Sequence, residues 1–136
     1  MAYTLMEMTE RTGLTAHTIR YYDKEGLLPF IHKTDSGRRA FETSDIEWIE
    51  LITCLKSTGM KIKDIRKFIE WYVEGDSTLQ DRLALFKSQK EQVERQIEDL
   101  HRHMEKINHK IHYYEVACQA GTEEAARHLC AQKNTK

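Results

Sequence analysis

The run Thr15-Ala16-His17-Thr18-Ile19-Arg20-Tyr21-Tyr22-Asp23-Lys24-Glu25-Gly26-Leu27-Leu28 decides the fold of the amino-terminal half of this chain. A helix start leaves backbone N–H groups without partners, and the Thr15 hydroxyl is placed to accept from one of them. Gly26 stands where a left-handed residue ends a helix, so the spacing predicts a helix from Thr15 to about Glu25. Ahead of it, Leu5 and Met8 lie i, i+3 apart, as on one face of a shorter helix. Thr12-Gly13-Leu14 breaks that pattern, and Gly13 suits a left-handed turn. Two short helices joined by a tight glycine turn make a helix-turn-helix.

Residues 27–41 follow with short β-compatible runs on either side of Thr34-Asp35-Ser36-Gly37, which is turn chemistry. A hairpin is expected there, a wing that carries Lys33, Arg38 and Arg39 beside the second helix. Ser44 with Glu47 three residues on reads as a capping box for a third helix, with Ile46, Ile49, Ile52 and Leu55 as its apolar stripe and Gly59 at its end. A fourth helix is expected from about Lys63 to Glu74, carrying Ile65, Phe68, Ile69 and Tyr72 on one side. Gly75-Asp76-Ser77 separates it from the next segment.

That segment is the most regular in the chain. Leu79, Leu83, Phe86, Lys90, Val93, Ile97, Leu100, Met104, Ile107, Ile111, Tyr114 and Cys118 are spaced alternately by four and three, an unbroken heptad seam interrupted in chemistry only by Lys90. One helix of about 40 residues, ~60 Å long, is expected. No second long helix exists in the sequence to cover its stripe, so the expected partner is the same helix of a second copy. A helix that joins a larger assembly of other chains is the competing reading. Lys90 at a seam position costs stability and helps fix register. Gly121 ends the helix, Thr122-Glu123-Glu124 starts one further short turn, and the tail from Gln132 is polar. The resulting organisation is 1–75 for the winged head, 76–120 for the long helix and 121–136 for a short tail. The fold class is mainly α: a winged helix-turn-helix head followed by a long coiled-coil dimerisation helix.

Composition sets limits on function. The 136 residues carry 21 Lys+Arg against 22 Asp+Glu, a net charge of −1, so no overall basicity marks the chain for nucleic acid. The distribution says more: Lys56, Lys61, Lys63, Arg66 and Lys67 face one acid, Asp64, within 56–67, and Lys33, Arg38 and Arg39 face Asp35 within 32–41. Local clusters of this kind are what phosphate contact requires, although solvated helix faces produce them too. No apolar run approaches the ~20 residues of a membrane span. The start lacks a secretory pattern, so a cytoplasmic location is expected. Three widely spaced cysteines, Cys54, Cys118 and Cys130, point to reduced thiols rather than a disulfide framework. Paired acids, a nucleophile with its base and a phosphate-cradling glycine loop are all missing, which argues against an enzyme, and nothing calls for a cofactor or a metal.

Arg20-Tyr21-Tyr22 followed by Gly26-Leu27, the basic wing Lys33…Ser36-Gly37-Arg38-Arg39-Ala40-Phe41, and Gly59-Met60-Lys61-Ile62-Lys63-Asp64-Ile65 occur in one order. Together they resemble the MerR family of transcriptional regulators over residues 3–75. Arg38 stands where the family usually has an aromatic before the wing arginine. Residue chemistry agrees with the resemblance. Thr15, His17 and Thr18 lie in the first turn of the second helix, the part that enters a major groove. Arg20 has the planar fork that bonds a guanine edge or a phosphate. Tyr21 offers a hydroxyl to phosphate, Ile19 is the inward anchor, and Tyr22 divides between a phosphate contact and a core aromatic. Lys33, Arg38, Arg39 and Lys61 would grip the backbone. The resemblance implies double-stranded promoter DNA as partner, an antiparallel homodimer, and action on RNA polymerase through bending and untwisting of the promoter.

The effector is read from the cysteines. Gly75-Asp76-Ser77-Thr78 lacks the thiol that metal-sensing relatives place before the long helix, and drug-sensing relatives carry a large extra domain after it. Ile52-Thr53-Cys54-Leu55-Lys56-Ser57-Thr58-Gly59-Met60, with Lys110-Ile111-His112-Tyr113-Tyr114-Glu115 and Ala120-Gly121-Thr122-Glu123, resembles the aldehyde- and electrophile-responsive branch. That resemblance makes Cys54 the sensor, its thiolate favoured by Lys56 or Lys61 and opposed by Glu50. An inert small hydrophobe at Cys54 and a metal- or redox-responsive Cys118/Cys130 pair are the alternatives.

Overall fold

A computed structural model describes the backbone of residues 2–134, with side chains through Leu129. The elements in chain order are α1 (Leu5–Thr12), α2 (Ala16–Lys24), β1 (His32–Lys33), β2 (Arg39–Ala40), α3 (Thr43–Ser57), α4 (Ile62–Glu74), a 3-10 turn (Asp76–Thr78), α5 (Leu79–Ala120) and α6 (Glu123–Asn134). The chain forms two compact units that divide between Lys90 and Glu91.

In the first unit the helix ends obey local chemistry. The Thr4 hydroxyl accepts from the Glu7 N–H at 3.2 Å while the Glu7 carboxylate accepts from the Thr4 N–H at 3.1 Å, a reciprocal cap for α1. Gly13 ends α1 at φ 74°, a left-handed conformation that costs an L side chain energy and glycine little. Thr15 caps α2 as expected, its hydroxyl accepting from the Thr18 N–H at 3.1 Å.

The start of α3 differs from the expectation. The cap is Glu42, not Ser44, and the Asp45 carboxylate, not Glu47, accepts from the Glu42 N–H at 2.8 Å. The reason lies one residue upstream. Phe41 is fully buried and bridged to Tyr3, so the chain must turn into the helix immediately after it. Asp45 is itself buried, and the backbone donor satisfies it.

The core of this unit joins Met8 of α1, Ile19 and Tyr22 of α2, Phe41 beyond the hairpin, Ile49, Ile52 and Leu55 of α3, and Ile65, Phe68 and Ile69 of α4. Ile46, expected in the α3 stripe, is half-buried at its edge. A run of aromatic contacts extends the core. Trp48 meets Phe30 at 5.4 Å and Phe68 at 5.8 Å in tilted contacts and Tyr72 edge-on at 4.8 Å, and Phe68 meets Phe86 of α5 edge-on at 5.1 Å. The compact head therefore reaches past residue 75 into α5, because Leu85 and Phe86 pack against its core.

The second unit holds the rest of α5 and α6. Tyr113 and Ala117 of α5 bury Ala126 of α6, and the Tyr113 hydroxyl donates to the Glu123 carboxylate at 3.0 Å. α6 is a 12-residue helix where the sequence suggested a short turn. Ala126 gives it an apolar anchor, and Ala, Arg and Leu propagate a helix readily. The side chains from Cys130 on, including the polar tail, lie outside the described residues. Among the described residues no helix is long and apolar enough to cross a membrane.

α5 leaves its heptad stripe open. Leu79, Leu83, Ile97, Leu100, Met104, Ile107, Ile111 and Tyr114 are all exposed, Leu100 at 65%. Val93 is half-buried, and Phe86 is covered by the head.

Phe68 joins α4 to both Trp48 and Phe86 and is 6% exposed. Phe68→Ala is expected to cost about 3–5 kcal/mol of stability, read from urea unfolding followed by tryptophan fluorescence.

Candidate nucleic-acid interface

α2 is amphipathic in a way that separates anchoring from display. Ile19 and Tyr22 are buried in the head. His17, Arg20, Tyr21 and Lys24 fall at i, i+3, i+4 and i+7 on the opposite face, and all four are exposed. Lys24 was missed in the sequence reading, although its spacing of four from Arg20 marks it. Thr15 is exposed and Thr18 half-buried at the capped end, their hydroxyls 2.9 Å apart.

The two tyrosines divide. Tyr22 is 3% exposed, with its hydroxyl 3.4 Å from that of Thr53, and is a core residue. Tyr21 stays partly exposed. The Lys56 ammonium lies over both rings, 5.1 Å and 5.5 Å from their centroids.

The wing pairs His32 with Ala40 and Lys33 with Arg39. Its base is held by Phe41, which exchanges backbone hydrogen bonds with Tyr3 at 2.6 Å and 2.9 Å. Its tip is closed by Thr34, whose N–H donates to the Arg38 carbonyl at 2.7 Å and whose hydroxyl accepts from the Arg38 N–H at 3.2 Å. Lys33 and Arg38 are exposed. Arg39 is half-buried, and its Nε donates to the Asp23 carboxylate of α2 at 2.7 Å.

Arg20, Arg38 and Arg39 line one concavity of about 370 Å³ together with Thr4, Met6 and Gly37. Thr15, His17, Thr18, Tyr21, Lys33 and Lys61 do not line it. Lys61 sits exposed at the N-cap of α4.

Much of the basic run 56–67 is engaged within the fold. Arg66 donates through Nε to the Glu25 carbonyl at 2.7 Å and pairs with the Glu25 carboxylate. Lys67 is 3.8 Å from Glu70, and Lys56 covers the tyrosines. Lys61 and Lys63 are the exposed cations left in that run.

Cys54 is exposed on α3, away from the Ile52 and Leu55 face. Its carbonyl accepts from the Thr58 hydroxyl at 3.2 Å, and that hydroxyl accepts from the Gln89 amide of α5 at 2.6 Å. Cys118 is also exposed, in an open concavity of about 800 Å³ with Ile107, Ile111 and Tyr114. The Cys130 side chain lies outside the described residues.

Comparison with known proteins agrees with this arrangement. The family described as "MerR HTH family regulatory protein" matches residues 3–70, and "MerR, DNA binding" matches residues 46–110. An uncharacterized HTH-type transcriptional regulator of Haemophilus influenzae is 41% identical over 92% of this chain and 93% of its own length. The HTH-type transcriptional regulator AdhR of Bacillus subtilis is 33% identical over 65% of this chain and 64% of its own. The crystal structure of HiNmlR, a MerR family regulator lacking the sensor domain and bound to promoter DNA, is similar with a TM-score of 0.85. It is 41% identical and covers 92% of this chain and 99% of that one. These relatives are regulators, not enzymes.

The Arg20 side chain has no intramolecular partner among the described residues and stands at the centre of the exposed α2 face. Arg20→Ala is expected to weaken binding to the chain's own upstream DNA by about 1–3 kcal/mol, measured by filter binding with circular dichroism as the fold control. Unchanged affinity with an intact fold would remove Arg20 from the interface.

Proposed function

The chain belongs to the MerR family of DNA-binding transcriptional regulators, and from that premise we propose that it works as a homodimer that deforms promoter DNA in response to electrophiles. The observation that carries the dimer is the open stripe of α5. Ile97, Leu100, Met104, Ile107 and Ile111 are 48%, 65%, 56%, 55% and 50% exposed along one seam. Apolar surface left in water costs about 25 cal/mol per Å², and a second identical helix is the partner whose heptads match.

Two heads on one paired helix read two half-sites of a pseudo-palindromic operator. HiNmlR was crystallised on promoter DNA, which supports duplex DNA as the partner here. Action on RNA polymerase follows if the bound duplex is bent and untwisted. Deformation is an energy term that an effector can bias.

Cys54 is the thiol assigned to the response, with aldehydes and related electrophilic carbonyls as the ligand class. Its exposure supports this, since a buried cysteine would act as a small hydrophobe. Addition of the Cys54 thiolate to an aldehyde carbon, with a proton moving to the carbonyl oxygen, gives a hemithioacetal and requires no oxidant.

Two experiments test the proposal. Ile97→Asp with Leu100→Asp is expected to give monomers by sedimentation and to abolish operator binding; dimers that persist would refute the seam. Cys54→Ser is expected to keep operator affinity and lose the transcriptional response to aldehydes, while Cys118→Ser with Cys130→Ser keeps it. The opposite pattern would transfer the response to Cys118 and Cys130, as a metal or redox sensor.

A further inference from the structure

We propose that Asp23 is a positioning residue for DNA recognition: it holds Arg39, and through Arg39 the wing, against α2. The inference rests on reading the head as the DNA interface. β1 and β2 contribute two residues each. A two-stranded hairpin is marginal in water even when longer, so this one needs anchors outside itself. The bonds of the tip, Thr34 to Arg38 at 2.7 Å and Gly37 to Thr34 at 2.8 Å, shape the turn but tie it to nothing else. The base is anchored by Tyr3 and Phe41, and the link that reaches α2 is Arg39 to Asp23 at 2.7 Å.

The charge of Asp23 points the same way. A carboxylate on a DNA-reading helix repels phosphate unless a cation neutralises it. Arg39 does so in a pair whose side chains are 27% and 23% exposed, shielded enough for geometry to matter more than at an open surface. Binding through Nε leaves the other guanidinium donors of Arg39 for a phosphate. Arg20 and Arg38 line the same concavity, yet neither guanidinium has a partner within the chain among the described residues. Arg39 is thus the fixed donor of the three, and Asp23 is what fixes it. A donor held in place before binding loses less freedom when DNA arrives.

The test measures affinity of the full chain for its own upstream promoter DNA and for random duplex, by fluorescence anisotropy. Variants are Asp23→Asn, Asp23→Glu, Arg39→Gln and the Asp23→Asn/Arg39→Gln double. Asp23→Asn is expected to bind promoter DNA about five- to tenfold more weakly without losing affinity for random duplex, so discrimination falls. Asp23→Glu keeps the carboxylate and is expected to stay within about twofold of the parent. In the Arg39→Gln background, Asp23→Asn is expected to cause no further loss, because its effect runs through Arg39. Tighter binding of Asp23→Asn to both duplexes would overturn the proposal and leave Asp23 a mere repulsive charge. An undiminished loss in the Arg39→Gln background would also overturn it. Should Asp23→Asn melt below the assay temperature, Arg39→Gln reads the link from the wing, and an Asp23→Glu loss equal to that of Arg39→Gln overturns it. A parent chain that fails to distinguish promoter from random DNA would instead defeat the reading of the head as the DNA interface.

Discussion

The stripe along α5 is the constraint on which the rest depends. A 42-residue helix carries apolar side chains at heptad spacing, and among the described residues no other element has the length or pattern to cover them. α6 is 12 residues long and covers a different place, around Tyr113 and Ala117. Those two residues are the ones α5 buries in its second unit, and they lie off the seam. The apolar content of α5 is therefore divided between a face used within the chain and a face offered outward. Phe86 marks the boundary: it keeps the seam spacing but is consumed by Phe68 in the head.

α2 shows how few interactions suffice to fix the orientation of an exposed helix face. Ile19 and Tyr22 set its rotation from inside. Asp23 ties one flank to the wing, and Glu25 ties its end to Arg66 of α4. Lys56 lies over the tyrosine rings from α3. Four cations that a charge count would assign to DNA (Arg39, Arg66, Lys56 and Lys67) thus have roles inside the fold. With a net charge of −1, the proposed contact with phosphate has to come from the placement of cations rather than from total charge.

What could be read in the sequence was what depends on near neighbours. The α1-turn-α2 arrangement, the Thr15 cap and the stop after α2 all follow from residues within four positions of one another. The heptad seam was legible because it repeats. The Glu42–Asp45 cap was not, because Ser44-Asp45-Ile46-Glu47 offers an equally good local signal, and the choice between them was made by Phe41 pairing with the distant Tyr3. α6 was underestimated because Ala126 gains its value only against Tyr113 and Ala117. Arg39 and Arg66 were legible as cations but not as bonded ones. Their partners lie 16 and 41 residues away, and sequence spacing carries no trace of such a pairing.

The same tertiary links bear on how an exposed thiol in the head could act on α5, the helix of the proposed dimer. Cys54 stands in the last turns of α3, and its carbonyl accepts from the Thr58 hydroxyl. The Gln89 amide of α5 donates to that hydroxyl at 2.6 Å and to the Thr58 carbonyl at 3.3 Å. Under the proposed electrophile response, bulk added at Cys54 falls on the turn of α3 that is hydrogen-bonded to α5. A second route runs beside it through packing, from Trp48 of α3 to Phe68 of α4 and on to Phe86 of α5. The two routes differ in what they transmit. The hydrogen bonds at Thr58 are directional and break over a few tenths of an ångström, so they respond to a small rotation of the α3 end. The aromatic contacts tolerate sliding and hold the helices together while that end moves. A sensor at Cys54 therefore needs only to disturb Thr58, because the aromatic core preserves the head as a reading unit.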